Sequence, residues 1–330
     1  MQDLDWIDLL KSNVLDKSGK SECTPNVNNI HERIKQVILI PLTVLIILFN
    51  VLILLCLIWN RKFHTQMYFL VATLGVADLF VGCVSIATLV TWSSEEMLDN
   101  CLIRIGFTVA TCIASMFSLM LIAIERFIAI SYSLWYRSMV TRAKLGVAVT
   151  FVWVLSLGIG FLPLMGWRTG PYRQYCSFLY VLPEKYILLT FTVGAVIPIA
   201  IMCTIYVKLF KNARIHIKRI EAVENVCGIR KSGSDSSFRV SSRSMKSIKT
   251  VVIVYGCVLV TWCPFLIATV VQISRKQESC ILKDLIGTHL LLLGFSNSFL
   301  NPLIYVVRTK DFRNFITGLC QRRSQRSWII

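Results

Sequence analysis

Asn301-Pro302-Leu303-Ile304-Tyr305 closes the last apolar stretch of the chain, and Glu125-Arg126-Phe127 closes the third. Alone, either stretch would be noise. Together they place a charged pair at the inner end of one membrane span and an Asn-Pro-x-x-Tyr at the inner end of another. Ionisable and helix-breaking residues are costly at membrane depth, so they mark function there by default.

The chain outward from these stretches is apolar enough to support that placement. Of 330 residues, 55% are hydrophobic and only 16% charged, more apolar surface than a soluble domain of this size can use. Runs of span length recur seven times, at about 36–59, 65–91, 98–132, 143–166, 185–211, 246–275 and 283–307. Each can cross a hydrocarbon core of ~30 Å. No cleavable leader pattern precedes the first run, which is therefore expected to insert as a signal anchor. The expected fold class is an all-α membrane protein, a seven-transmembrane helix bundle with a short amphipathic eighth helix.

Basic residues set the orientation. Arg61, Lys62, Arg137, Arg142, Lys144, Lys208, Lys211 and Lys218 flank the spans on one side, joined by Arg308, Lys310 and Arg313. The other side carries Asp3, Asp5, Asp8, Asp16, Glu95, Glu96 and Asp99. The positive-inside rule puts residues 1–35 outside the cell and the C-terminus in the cytoplasm. A net charge of +17 distributed around helix ends suits membrane lipids, and nucleic acid is not expected as a partner.

The domain plan is an extracellular segment 1–35, a receptor-sized bundle 36–307, an amphipathic helix 308–320 and a tail 321–330. Within the bundle, residues 212–245 hold Gly228, Gly233 and a Ser-rich basic stretch, and are expected to be a flexible cytoplasmic loop. After the seventh span, Phe312, Phe315 and Ile316 fall on one face of an interfacial helix that ends near Cys320, a palmitoylation candidate.

Six of the twelve cysteines (Cys56, Cys83, Cys112, Cys203, Cys257, Cys263) lie within spans, where a thiol is a small apolar group. Cys23, Cys101, Cys176 and Cys280 face the oxidising side, an even number with three possible connectivities. An enzyme finds no support. The four histidines are scattered, no Cys/His pair has metal-site spacing, and glycine-rich phosphate loops are lacking. Polar residues gather around Asp78 and stop, which disfavours a channel or transporter path.

One marker stands in every span: Asn50, Ala77-Asp78, Glu125-Arg126-Phe127, Trp153, Pro198 with Tyr206, Trp262-Cys263-Pro264, and Asn301-Pro302 with Tyr305. In this order they resemble the rhodopsin-like (class A) G protein-coupled receptors over residues 36 to 320. Two departures are visible, Glu-Arg-Phe for Asp-Arg-Tyr, and Val258 four residues before Trp262 in place of phenylalanine.

The resemblance implies roles. Asp78, with nothing basic beside it in sequence, needs a proton, a cation or hydrogen-bonding partners at this depth. Ser115, Trp262, Asn297, Ser298 and Asn301 match the family's sodium pocket around it, and a protonated Asp78 in a polar cluster is the plainer alternative. Glu125 is expected to restrain Arg126 at rest. Arg126, Leu134, Tyr206 and Tyr305 occupy positions that face a heterotrimeric G protein, with arrestin as a second partner. The position of the usual second restraint, an acid in the sixth span, is Ser244, which implies appreciable basal signalling. Pro264 and Pro302 are expected to kink their helices. Cys101–Cys176 match the family disulfide, leaving Cys23–Cys280 as a possible second.

Positions in the outer bundle narrow the ligand class. Amine receptors place an aspartate where Thr108 stands, and the outer halves of the spans show no other acid. Opsins place a lysine where Phe295 stands. Adenosine receptors need an asparagine, a glutamate and a histidine where this chain has Thr269, Leu179 and Phe295. Arg104, one turn above Thr108, is either a snorkelling arginine or a ligand anchor. Below it lie Val109, Cys112, Phe178, Phe265, Leu266, Leu291, Phe295 and Trp262, a polar cap over an apolar wall that suits an amphiphilic lipid. Cys101-Leu102-Ile103-Arg104, Gly160 to Leu164, Cys176-Ser177-Phe178 and Trp262 to Ile267 resemble a lipid-amide branch of the family. That branch implies fatty-acid ethanolamides or lysophospholipids as ligands, the stimulatory G protein as transducer, and no cofactor beyond allosteric sodium. Gly287 and Leu291 depart from the branch, and an adenosine-like or ligand-less accessory receptor is the alternative.

Overall fold

The computed structural model describes residues 13–15, 21–23, 30–90, 98–169, 176–227, 235–275, 279–308, 312–314 and 317. For residues 13–15, 21–23, 30–35, 62, 90, 213, 214, 216–227, 235–249 and 251 it describes the backbone alone.

Seven helices are long and apolar enough to cross a membrane: Gln36–Trp59, Gln66–Leu89, Leu98–Ser131, Arg142–Phe161, Glu184–Asn212, Val252–Ser274 and Cys280–Arg308. Helices are what lipid demands, since each satisfies its own backbone hydrogen bonds. Their apolar residues divide into two faces. Val37, Ile58, Phe151 and Val260 are turned outward, where hydrocarbon would cover them, while Ile46, Leu70, Ala114, Ile122 and Val258 fill the interior.

The third span is the axis of the bundle and packs against the second, fourth, fifth and sixth. Its close approach to the fourth depends on glycine. A Cβ on Gly160 would collide with the Gly106 carbonyl and come within 2.9 Å of Ala110 Cβ. The fifth span is tied to the fourth by the buried Tyr186, whose hydroxyl donates to the Ile159 carbonyl at 3.0 Å.

Two spans contain a wide turn that the sequence did not announce. The fifth runs as Glu184–Phe191, a π turn at Thr192–Val196 and a helix at Ile197–Cys227. Pro198 follows the turn, and its missing N–H removes the α-helical bond that the Gly194 carbonyl would have accepted. Gly194 also admits the third span, since a Cβ there would lie 2.7 Å from Ile113 Cγ1. The seventh span has a second π turn at Ile286–Leu290, between Cys280–Leu285 and Leu291–Arg308. That span begins three residues earlier than expected.

Three other expectations need correction. The stretch 212–245 is mostly helix, because the fifth-span helix continues to Cys227 and the sixth-span helix starts at Asp235. An anchored helix needs no new nucleus, and the residues after Asn212 (Ala, Arg, Lys, Glu among them) propagate it well. Secondly, residues 1–35, expected only as an extracellular segment, contain a short antiparallel hairpin, Asn13–Leu15 with Ser21–Cys23, beside the all-α bundle. Thirdly, Phe312 does not face the membrane interface. It is fully buried, stacked on Phe63 at 4.5 Å and edge-on to Tyr68 at 5.8 Å, so it pins the chain after the seventh span to the first inner loop. Phe315, Ile316 and Cys320 lie outside the described residues.

Candidate functional site

The polar groups of the bundle collect in three places along its axis. Midway, the second, third and seventh spans converge on Asp78, which is fully buried. Ser115 Oγ and Ser298 Oγ each donate to its Oδ1 at 2.8 Å, and Asn301 Nδ2 donates to its Oδ2 at 2.9 Å. Asn50 extends the cluster to the first span, donating from Nδ2 to the Ser298 carbonyl at 3.0 Å and to the Ile46 carbonyl at 2.8 Å. The carboxylate is thus met by three donors from two neighbouring spans, and no basic side chain is among them. Trp262 closes the outer side against Gly294, where a Cβ would come within 3.2 Å of the indole. Asn297 Oδ1, Asn301 Oδ1 and Trp262 Nε1 are buried without a hydrogen-bond partner. Orphaned acceptors beside a satisfied carboxylate are uncommon in a protein interior.

At the end of the bundle where the third span closes, Glu125 is buried and holds Arg126, which donates from Nε to Oε2 and from Nη2 to Oε1 at 2.6 Å. Sequence reasoning missed a third member, Tyr136, in the short inner-loop helix Tyr136–Met139. Its hydroxyl also donates to Glu125 Oε1. Burial first, and then this hydrogen bond, push the Tyr136 phenol above its ordinary pKa, so it remains a donor. The only sequence hint was a tyrosine eleven positions after Glu125 in a short loop. Leu134 is 93% exposed beside this triad. Tyr305 is buried, and Tyr206 stacks obliquely on Tyr255 at 5.0 Å. The side chain of Ser244 lies outside the described residues.

At the outer end, Cys101 is disulfide-bonded to Cys176 with a Cα separation of 5.7 Å. Cys280 is disulfide-bonded as well, and the side chain of Cys23 lies outside the described residues. The first bridge holds Phe178 above the sixth span. From there an aromatic chain descends, Phe178 to Phe191 at 6.2 Å, Phe191 to Phe265 at 5.5 Å, and Phe265 to Trp262 at 5.9 Å. Phe191 was not among the expected wall residues; it enters because it ends the helix just before the π turn. Val109 and Phe295 are buried, while Arg104, Thr108, Cys112, Leu266 and Leu291 are half-buried.

Two hydroxyls of the expected wall are already engaged. Thr108 donates to the Arg104 carbonyl at 2.9 Å and Thr269 to the Phe265 carbonyl at 2.8 Å. The outer halves of the spans are also less free of acids than expected, since Asp99 and Glu184 stand in opening turns and Asp284 lies further along Cys280–Leu285. Helix starts tolerate acids because their N–H groups are unpaired. One polar residue near the outer end of the sixth span, Gln272, is buried with neither amide atom bonded.

This chain belongs to the 7 transmembrane receptor (rhodopsin family), whose pattern it matches over residues 49–305. It is therefore a non-enzymatic, multi-pass signalling receptor of the cell membrane that couples to G proteins. Among known proteins it is similar to the human glucose-dependent insulinotropic receptor, at 32% identity over 248 residues, covering 73% of this chain and 72% of that one. The rat lysophosphatidic acid receptor 3 is 30% identical over 268 residues, 80% of this chain and 72% of its own. The rat histamine H2 receptor is 28% identical over 290 residues, 84% and 76% respectively.

Proposed function

We propose that this receptor is switched by an amphiphilic lipid of the fatty-acid ethanolamide or lysophospholipid type, couples to the stimulatory G protein and raises cyclic AMP. The observation that carries the ligand class is the continuous aromatic descent from Phe178 through Phe191 and Phe265 to Trp262, beneath the half-buried Arg104. Such a wall matches an acyl chain, and a guanidinium above it matches a polar head. Thr108 in place of an aspartate leaves an ammonium without its usual partner at that position. The similarity to a receptor named for lysophosphatidic acid supports the lipid class.

The N-terminus is outside and the Glu125–Arg126–Tyr136 triad faces the cytoplasm. There Arg126, once released from Glu125, meets the G protein together with Leu134, Tyr206 and Tyr305. Basal signalling is appreciable, arrestin binds the same face, and Cys320 accepts a palmitoyl chain. Sodium fits the middle cluster, where Asp78, Ser115, Asn297, Ser298 and Asn301 would hold it. The two orphaned amide oxygens supply neutral oxygen donors next to a carboxylate. When bound, the ion would balance the Asp78 charge and favour the packing in which these side chains converge.

The test is cyclic AMP in cells expressing this chain beside an Arg126→Ala control, with fatty-acid ethanolamides, lysophospholipids and adenosine. A raised basal level that climbs with the lipids and disappears in the control is the expected result. A response to adenosine alone would overturn the ligand class.

A further inference from the structure

The inward face of the sixth span is a stripe of residues three or four apart: Val258, Thr261, Phe265, Thr269 and Gln272, all buried. Between them Ile267, Val270 and Val271 point outward, the first 63% exposed. Gln272, at 5% exposure, therefore continues the stripe that carries Phe265 and Thr269 toward the outer mouth of the bundle. The polar members of this stripe behave differently. Thr261 and Thr269 satisfy their hydroxyls on their own helix, donating at 2.8 Å to the Cys257 and Phe265 carbonyls. Gln272 does not, and both Nε2 and Oε1 are without a partner.

An amide buried in this way forfeits hydration at both a donor and an acceptor, and natural interiors rarely leave even one such group unpaired. The arrangement is stable only if something else completes it. Resting on the lipid reading above, we infer that Gln272 is the specificity-determining residue of the outer site, and that it selects a lipid bearing a secondary amide. A secondary amide offers one C=O and one N–H. Gln272 Nε2 donates to the first and Gln272 Oε1 accepts from the second, and the apolar wall below takes the acyl chain. An ester of equal length satisfies only the donor and leaves Oε1 orphaned. A phosphate or carboxylate offers acceptors alone and sets its charge against the same oxygen. Sites built to hydrogen-bond a group discriminate strongly against analogues lacking it, because their own buried polar atoms are then left unpaired.

The experiment uses the full chain, purified in detergent, and reads ligand-dependent melting, so it does not depend on which G protein couples. Three probes differ in one group each: a fatty-acid ethanolamide, the tertiary N-methyl-N-(2-hydroxyethyl) amide of the same acid, and its 2-hydroxyethyl ester. The native chain is expected to bind the ethanolamide about tenfold more tightly than either analogue. In Gln272→Met, which keeps the volume and loses the amide, the three should converge to within about twofold. The ligand-free protein should at the same time melt higher, because an unpaired polar group has been removed. A residue that only supported the fold would shift melting downward and leave the ratio alone. Should Gln272→Met fail to reach the membrane, Gln272→Leu reads the same ratio. If the lipids bind and the preference survives both substitutions, this inference falls and the lipid reading stands. If none of the three binds the native chain, both fall together.

Discussion

The middle and the outer end of the bundle handle buried polarity in opposite ways. Around Asp78, both carboxylate oxygens accept hydrogen bonds, from Ser115, Ser298 and Asn301. Around Gln272, ten residues from Trp262, a neutral amide is equally buried and meets no partner among the described residues. The first arrangement satisfies its carboxylate from within the protein and joins three spans, although Asn297 Oδ1 and Asn301 Oδ1 beside it meet no donor among the described residues. The second is incomplete until a ligand arrives. A receptor needs both, since a site satisfied in the absence of ligand gains little from binding, and a bundle with unpaired groups everywhere would not hold its shape.

The contrast can be broken most severely at its satisfied end. Asp78→Leu orphans three buried donors at once, and the protein should lose about 3 kcal/mol, melting lower by about 10 °C in detergent. Melting within about 1 °C of the native chain would mean that the cluster contributes shape rather than stability. Asp78→Asn sharpens the same point. It keeps a hydrogen-bonding group, so any stabilisation by added sodium chloride over choline chloride should vanish while the fold persists.

The cytoplasmic triad should respond next. Glu125→Gln removes the charge that holds Arg126 and should raise basal cyclic AMP roughly fivefold, equivalent to about 1 kcal/mol. An unchanged basal level would sink the restraint. At the unsatisfied end, Gln272→Met should stabilise the ligand-free protein by up to about 1 kcal/mol, the opposite sign to Asp78→Leu. Lower melting there would show that the amide is satisfied in solution, and would dissolve the contrast. The smallest change belongs to Tyr136→Phe. It removes one of the donors on Glu125, and basal cyclic AMP should rise about twofold, or about 0.5 kcal/mol.

The two ends also differed in how legible they were. The Asp78 cluster was legible because the resemblance to the receptor family assigns its partners: Ser115, Asn297, Ser298 and Asn301 stand at positions that match the family's pocket. Gln272 carried only a faint signal, an amide at helical spacing from Trp262 and Phe265 in an apolar run. Its lack of a partner is a property of the neighbouring helices, which no single span encodes. Tyr136 was missed for the same reason. A loop tyrosine reaches Glu125 only because the loop folds into a helical turn beneath the third span. The π turn at Thr192–Val196 was hidden because it is a response to strain and crowding, at Pro198 and against Ile113.

By itself, then, the sequence determined that seven helices are long and apolar enough to cross a membrane, and at which helix ends the charged residues stand. Hydropathy, basic flanks and helix-breaking prolines act locally and need no partner to be read. The tertiary structure alone decided which buried polar atoms meet and which do not. Hydrogen bonds are made across spans at ångström precision, and a one-residue bulge such as Thr192–Val196 shifts which side chains face one another. It also moved Phe312 from a membrane surface into a stack on Phe63, because a large ring gains more from a closed aromatic socket than from an interface it would only half enter.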